Sequence, residues 1–227
     1  MASTINWLGR VDRILLAISL VTSTAYWALH ALRPYPGSVL LKWIPIAILA
    51  LLGLMNIESA QGLLLALALL AHSAGDVLLG LEKPKLFVPA IVGFLIGHVL
   101  YILTFRLDLP QEWHVSAARW VLVVGVLVYA AGMSVVLLPR MPGHLIVPVI
   151  VYIIAITAMA ITGVLAEYRT QWIALGAICY VISDSIIAIN LFVHPFAWSG
   201  YVSWPLYYIA QAFITLGILY EMIVTRG

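Results

Sequence analysis

Eight runs of about twenty mostly apolar residues follow one another along this chain, separated by short connections that hold most of its charge. A helix needs about 20 apolar residues to cross the hydrocarbon of a bilayer. In lipid every backbone N–H and C=O must be satisfied internally, which leaves only helices and closed barrels. Continuous apolar runs of this length read as helices. The expected spans are roughly 11–32, 39–57, 61–81, 86–105, 116–138, 144–166, 171–193 and 201–222. The connections carry Arg33, Glu58, Glu82, Lys83, Lys85, Arg106, Asp108, Glu112, Arg140, Glu167 and Arg169. Only 9% of the 227 residues are charged and mean hydropathy is +1.11, against about 25% charged in a soluble domain. The expectation is an all-α polytopic membrane helical bundle of about eight transmembrane helices, with residues 1–227 forming a single integral membrane domain.

The same composition removes several function classes. The formal net charge is +2 and no basic cluster is present, so nucleic acid is not an expected partner. The lone Cys179 excludes an intramolecular disulfide and a cysteine-based metal cluster. The first apolar run follows Arg10, Asp12 and Arg13 and is longer than a signal-peptide core, so it is expected to be a retained helix. Ala2 stands where myristoylation needs glycine. Lys and Arg divide six against five between the two sides, which leaves orientation undecided.

Two carboxylates lie inside these runs. Asp76 and Asp184 are each the only formally charged residue of the third and seventh spans. A charge near the middle of a membrane helix costs at least about 2.5–3.5 kcal/mol and marks a functional site by default. At about 100° per residue, Gly176, Tyr180, Ser183, Asp184, Ile187, Asn190 and Leu191 share one face of the seventh helix. His72 lies one turn before Asp76 on the same face and is a candidate to tune it. In the fourth helix Gly93 and Gly97 form a Gly-x-x-x-Gly pair followed by His98 and Tyr101, a spacing that admits close approach of another helix. The eighth helix aligns Trp204, Tyr208, Gln211 and Thr215, with Tyr207 one turn before Gln211. Lys42 opens the second helix, either as a snorkelling lysine or as a phosphate contact for a lipid headgroup. Asp76, Lys42, Asn190, Tyr207 and Tyr208 all lie towards one side, so the cluster reads as a pocket open to one leaflet with a cation near its mouth.

A weak internal repeat is also visible. Asp76 and Asp184 are 108 residues apart, Tyr101 and Tyr208 are 107 apart, and Pro45 and Pro148 are 103 apart. A parallel repeat of four helices per half would bring the two aspartates face to face. Chance alignment in a chain rich in Leu, Ile and Val is the alternative.

The strings Gly75-Asp76, Gly97-His98-Val-Leu-Tyr101, Tyr180-Val-Ile-Ser-Asp-Ser-Ile-Ile-Ala-Ile-Asn190 and Tyr207-Tyr-Ile-Ala-Gln211, with Lys42-Trp-Ile-Pro45, resemble the YhhN-like family of transmembrane lysoplasmalogenases. The resemblance runs in order from the second helix to the eighth, and the seventh-helix string is its specific part. It implies about eight spans and hydrolysis of the vinyl ether of a lysoplasmalogen to a fatty aldehyde and a glycerophospho-choline or -ethanolamine. It implies Asp76 and Asp184 as the catalytic pair. Substrate contacts are expected from Lys42, His98, Tyr101, Tyr180, Ser183, Asn190, Tyr207, Tyr208 and Gln211. His72 departs from the pattern, where a small residue is more usual.

That chemistry suits two carboxyl groups. Vinyl ether hydrolysis starts with proton transfer to the β-carbon, gives an oxocarbenium ion, and ends with water addition and collapse of a hemiacetal. One carboxylic acid supplies the proton while a carboxylate faces the cation and takes the water's proton, as in glycosidases. Neither a metal nor a cofactor is expected. The partners are the lysophospholipid and the surrounding membrane lipids. Three other readings stand beside this one. His72, Asp76, His98 and Asp184 together are a donor set for a metal-dependent membrane lipid hydrolase. An intramembrane aspartyl protease would need Gly-x-Gly-Asp, where this chain has Ser73-Ala-Gly-Asp76. A proton-coupled transporter or lipid-binding protein would use the aspartates as ion sites.

Overall fold

A computed structural model describes residues 7–110 and 115–226; Ala2 and Glu112 lie outside the described residues. Eight α-helices and no strand occur among the described residues: α1 (Arg10–Ala28), α2 (Ser38–Leu54), α3 (Ala60–Gly80), α4 (Phe87–Phe105), α5 (Ala117–Leu137), α6 (Gly143–Leu165), α7 (Trp172–Phe192) and α8 (Ser199–Arg226). Six of them, α3 to α8, are long and apolar enough to cross a membrane. The other two fall short for local reasons. α1 opens with Arg10, Asp12 and Arg13, and α2 is a shorter apolar helix of 17 residues.

Local chemistry sets the ends. Ser59 caps α3, its side chain accepting from the Gly62 N–H at 2.9 Å, and Ser116 caps α5. Arg119 of α5 donates to the carbonyls of Leu165 and Ala166, which closes the C-terminal end of α6. Pro205 lies inside α8 and lacks the N–H that the Tyr201 carbonyl would otherwise receive. The indole of Trp27 in α1 donates to that carbonyl at 2.9 Å, so a break in one helix becomes a tie to another.

Neighbouring helices pack in chain order except at the step from α4 to α5, and α8 returns against α1, α2 and α3. α4 packs on α6, while α5 rests on α6 and α7 at the outside. The central layer is a set of fully buried aliphatic side chains, among them Ile46, Leu49, Leu65, Leu69, Ile173, Ile214 and Ile218. Lipid tails are as apolar as leucine, so close packing rather than exclusion of water favours helix association here. Outward faces are apolar as well: Val121 and Val135 of α5 are 70% and 74% exposed. Surfaces of that kind are out of place in water and in place in lipid. The protein is an integral, multi-pass membrane protein.

The two ends of the bundle differ. At the end carrying the termini, polar side chains tie connections together. The Gln61 amide donates to Asp108, and the Glu221 carboxylate accepts from the Arg169 backbone N–H at 2.6 Å. At the opposite end the final turns of α1, α3 and α7 and the first turns of α2, α4, α6 and α8 splay around a cavity of about 450 Å³.

Candidate active site

Asp76 and Asp184 both line this cavity. Asp76 belongs to the last turns of α3, and its side chain is 2% exposed. Lys42 of α2 reaches across to it, with Nζ 2.7 Å from Oδ1. The Tyr207 hydroxyl of α8 donates to the other oxygen, Oδ2, at 2.6 Å. Gln211, one turn along α8, donates to the Tyr207 oxygen at 3.2 Å and accepts from the Tyr101 hydroxyl of α4. The carboxyl of Asp76 therefore receives hydrogen on both oxygens, one of them from a cation. Donors on both sides suit the ionised form.

Asp184, on α7, has a different setting. Its hydrogen-bond donor is the Tyr152 hydroxyl of α6, directed at Oδ2. The Tyr152 oxygen also lies 3.0 Å from His98 Nε2 of α4. Two carboxyls of one cavity thus carry unlike partners: a lysine and a phenol for Asp76, a phenol backed by an imidazole for Asp184.

Of the other residues expected to contact substrate, Lys42, Asn190 and Tyr207 line the cavity. Asn190 also accepts from the Phe196 N–H at 2.9 Å, which holds the turn after α7. His98, Tyr101, Tyr180 and Gln211 are fully buried behind the wall. Ser183 donates to the Ser203 carbonyl at 2.8 Å and joins α7 to α8. Tyr208 faces α1, its hydroxyl 3.0 Å from Ser19 Oγ. His72 turns from Asp76 into an aromatic cluster, with ring centroids 5.1 Å from His98, 5.0 Å from Tyr101 and 5.3 Å from Tyr180. Room for it comes from Gly97, where a Cβ would lie 2.3 Å from His72 Nε2. The Gly-x-x-x-Gly pair thus faces α3: Gly93 meets the Gly75 backbone and Gly97 meets the His72 ring. Among the described residues, no three His, Cys, Asp or Glu side chains are grouped so as to hold a metal ion. The donor set of His72, Asp76, His98 and Asp184 is not assembled.

Sequence reading missed Tyr152, the partner of Asp184. Its signal was present, since it is the one tyrosine in the run 144–166 and stands four residues after Pro148. The mouth was missed too. Arg33, following α1, forms an ion pair with Glu82, following α3, and its guanidinium lies over the Tyr26 ring at 5.5 Å.

No solved structure matches the chain. It is 35% identical over 155 residues to proteins named lysoplasmalogenase from Mycobacterium bovis and Mycobacterium tuberculosis, matching 67% of this chain and 59% of theirs. It is 29% identical over 183 residues to the human protein named lysoplasmalogenase TMEM86B, covering 80% of this chain and 75% of that one. The matched region thus spans less than two thirds of the mycobacterial relatives' length. The model of the YhhN family matches residues 37–218, from the start of α2 into α8 and across every side chain that holds the two aspartates, and the chain belongs to that family.

Proposed function

We propose that this protein is a lysoplasmalogenase that cleaves the vinyl ether of a 1-alkenyl lysophospholipid with water. The products are a fatty aldehyde and glycerophosphoethanolamine or glycerophosphocholine. The observation that carries the proposal is the unlike surroundings of two carboxyls in one membrane cavity. The names of the mycobacterial and human relatives support it.

The division of labour follows from those surroundings. Asp76, held by Lys42 and Tyr207, is the carboxylate. Asp184, with no cation against it, is the acid, because two neighbouring negative charges in a low-dielectric cavity disfavour each other. Asp184 passes its proton to the β-carbon of the alkenyl chain, and the C=C pair forms the new C–H bond. The ether oxygen shares the positive charge that develops on the α-carbon. Asp76 faces that oxocarbenium ion as Lys42 holds it in place. Water adds to the α-carbon and loses its proton to a carboxylate. The hemiacetal then breaks its C–O bond to the glycerol, releasing aldehyde and alcohol. No redox step and no cofactor enters.

In this reading Lys42 is the counter-ion of Asp76 and Asn190 and Tyr207 meet the substrate. His98 backs Tyr152, and Tyr101 and Gln211 back Tyr207. Tyr180, Ser183, Tyr208 and His72 hold the helices that carry the site. Residues 1–227 act as one membrane domain, and all eight helices span. A parallel 4+4 arrangement is supported by the placing of Asp76 and Asp184 on α3 and α7 around one cavity, and by α4 packing on α6 as α2 packs on α8.

The test is turnover of a lysoplasmalogen by purified protein beside the matching ester lysolipid. Aldehyde is expected from the first and no fatty acid from the second. In D₂O, with the aldehyde reduced at once to the alcohol, one deuterium is expected at carbon two. Asp76→Asn and Asp184→Asn are each expected to abolish release; turnover retained in both variants refutes the mechanism. Proton-coupled flux in liposomes without lipid turnover favours the transporter reading instead.

A further inference from the structure

The cavity has a charged rim that the reaction does not use. Arg33 and Glu82 line the same cavity as the two aspartates. Their side chains are 22% and 52% exposed, so they mark its outer end. Lys42, read from the sequence as either a snorkelling lysine or a phosphate contact, is committed to Asp76. Among the described residues, Arg33 is the other lysine or arginine that lines the cavity.

Three features argue that this rim is built. The Arg33 guanidinium is set over the face of Tyr26, a ring itself buried against Trp204 at 4.5 Å. The cation–π contact holds the guanidinium on an apolar support, and its N–H groups, now paired with Glu82, are of the kind a bidentate acceptor takes. Glu82 has φ +54, a left-handed conformation just past the end of α3. That position ordinarily takes glycine or asparagine, so a glutamate there carries a conformational cost, and the contact its side chain makes is the pair with Arg33. Finally, Arg33 and Glu82 pair with each other across two different connections. An exposed pair of this kind contributes little to stability, so each charge can exchange its partner for a ligand.

We propose that Arg33 and Glu82 form a headgroup site, in which Arg33 takes the phosphodiester and Glu82 the ammonium of a zwitterionic lysophospholipid. A zwitterion matches an ion pair charge for charge: the intramolecular salt bridge opens and two intermolecular ones replace it. The order also suits the reaction: the headgroup sits at the exposed rim and the glycerol ether beneath it, towards the buried Asp76 and Asp184 of the same cavity. A primary ammonium donates hydrogen bonds to Glu82, whereas a trimethylammonium offers charge alone. This proposal rests on the lysoplasmalogenase reading.

The experiment measures KM and kcat on three substrates: alkenyl-glycerophosphoethanolamine, alkenyl-glycerophosphocholine and alkenylglycerol, which has no headgroup. Arg33→Gln is expected to raise KM about tenfold or more for both phospholipids and to leave alkenylglycerol unchanged. Glu82→Gln is expected to raise KM more for the ethanolamine lipid than for the choline lipid. The exchanged variant, Arg33→Glu with Glu82→Arg, keeps a salt bridge and separates structure from recognition. It is expected to stay defective on both phospholipids. Recovery in the exchanged variant, or an equal loss on alkenylglycerol, overturns the proposal. If wild-type protein cleaves none of the three, the reaction reading fails and the site is tested by binding. The unreactive 1-alkyl lysophosphoethanolamine is then expected to raise the melting temperature of wild type and not of Arg33→Gln, and equal shifts overturn the headgroup site.

Discussion

Replacing Lys42 by methionine gives the sharpest physical test of the site. Lys42→Met keeps the length of the side chain and removes its charge. The Asp76 carboxyl, 2% exposed, is then left with the Tyr207 hydroxyl alone. Breaking a buried ion pair by removing one partner costs about 3–5 kcal/mol. At about 2–4 °C per kcal/mol for a chain of this length, the melting temperature falls by roughly 6–20 °C. Asp76→Asn is milder. The stranded lysine is 12% exposed beside an open cavity and can reach water, so the loss is about 1–3 kcal/mol. The double variant has neither charge, and its loss is expected to be smaller than the sum of the singles by about 2–3 kcal/mol. Thermal melts of the four proteins in one detergent, read by intrinsic fluorescence, close the cycle. Strictly additive losses refute the argument, because they mean that the two side chains do not stabilise each other. The catalytic readout is separate: both singles and the double are expected to lose aldehyde release, since Asp76→Asn and the double have no carboxylate to face the cation, and in Lys42→Met burial without a counter-ion favours the neutral acid over the carboxylate.

Further expectations concern other contacts. Tyr152→Phe removes the donor to Asp184 and the link to His98; a hydrogen bond to a neutral group is worth about 0.5–1.5 kcal/mol, so kcat is expected to fall about 2- to 10-fold in a folded protein, measured by aldehyde-coupled assay. Gly97→Ala drives a methyl into the His72 ring and is expected to destabilise by about 1–3 kcal/mol, while His72→Ala in the same chain recovers most of the melting temperature. Trp27→Phe leaves the Tyr201 carbonyl without its donor, a loss of about 0.5–1.5 kcal/mol; adding Pro205→Ala supplies the missing helical N–H and is expected to shrink that loss in the same melt.

Much of this was readable from the apolar period. The eight helices lie within a few residues of where the runs place them, because length and hydropathy dictate a helix in lipid whatever its neighbours. All eight were expected to span, and six of them, α3 to α8, are long and apolar enough to do so; Arg10, Asp12 and Arg13 at the start of α1 and the 17 residues of α2 set the other two apart. In the site, sequence identified Asp76 and Asp184 through their cost. It did not distinguish them, because their difference lies in Lys42 and Tyr152, which arrive from other helices. His72 shows the limit of a same-face argument: one turn from Asp76, its ring points into the space that Gly97 leaves open. The pairing of Arg33 with Glu82 joins residues 49 positions apart on opposite connections and leaves no trace in any local pattern.

The salt bridge beneath that rim has an electrical consequence. A lone carboxylate moved fully across a membrane exchanges roughly 2.3 kcal/mol for each 100 mV of potential. Lys42 and Asp76 together have no net charge for the field to pull, only a dipole whose charged atoms are 2.7 Å apart. That is about a tenth of the hydrocarbon thickness, so even full alignment with the field couples by only about 0.2 kcal/mol per 100 mV. A permanent anion held inside the bilayer in this way is nearly blind to voltage.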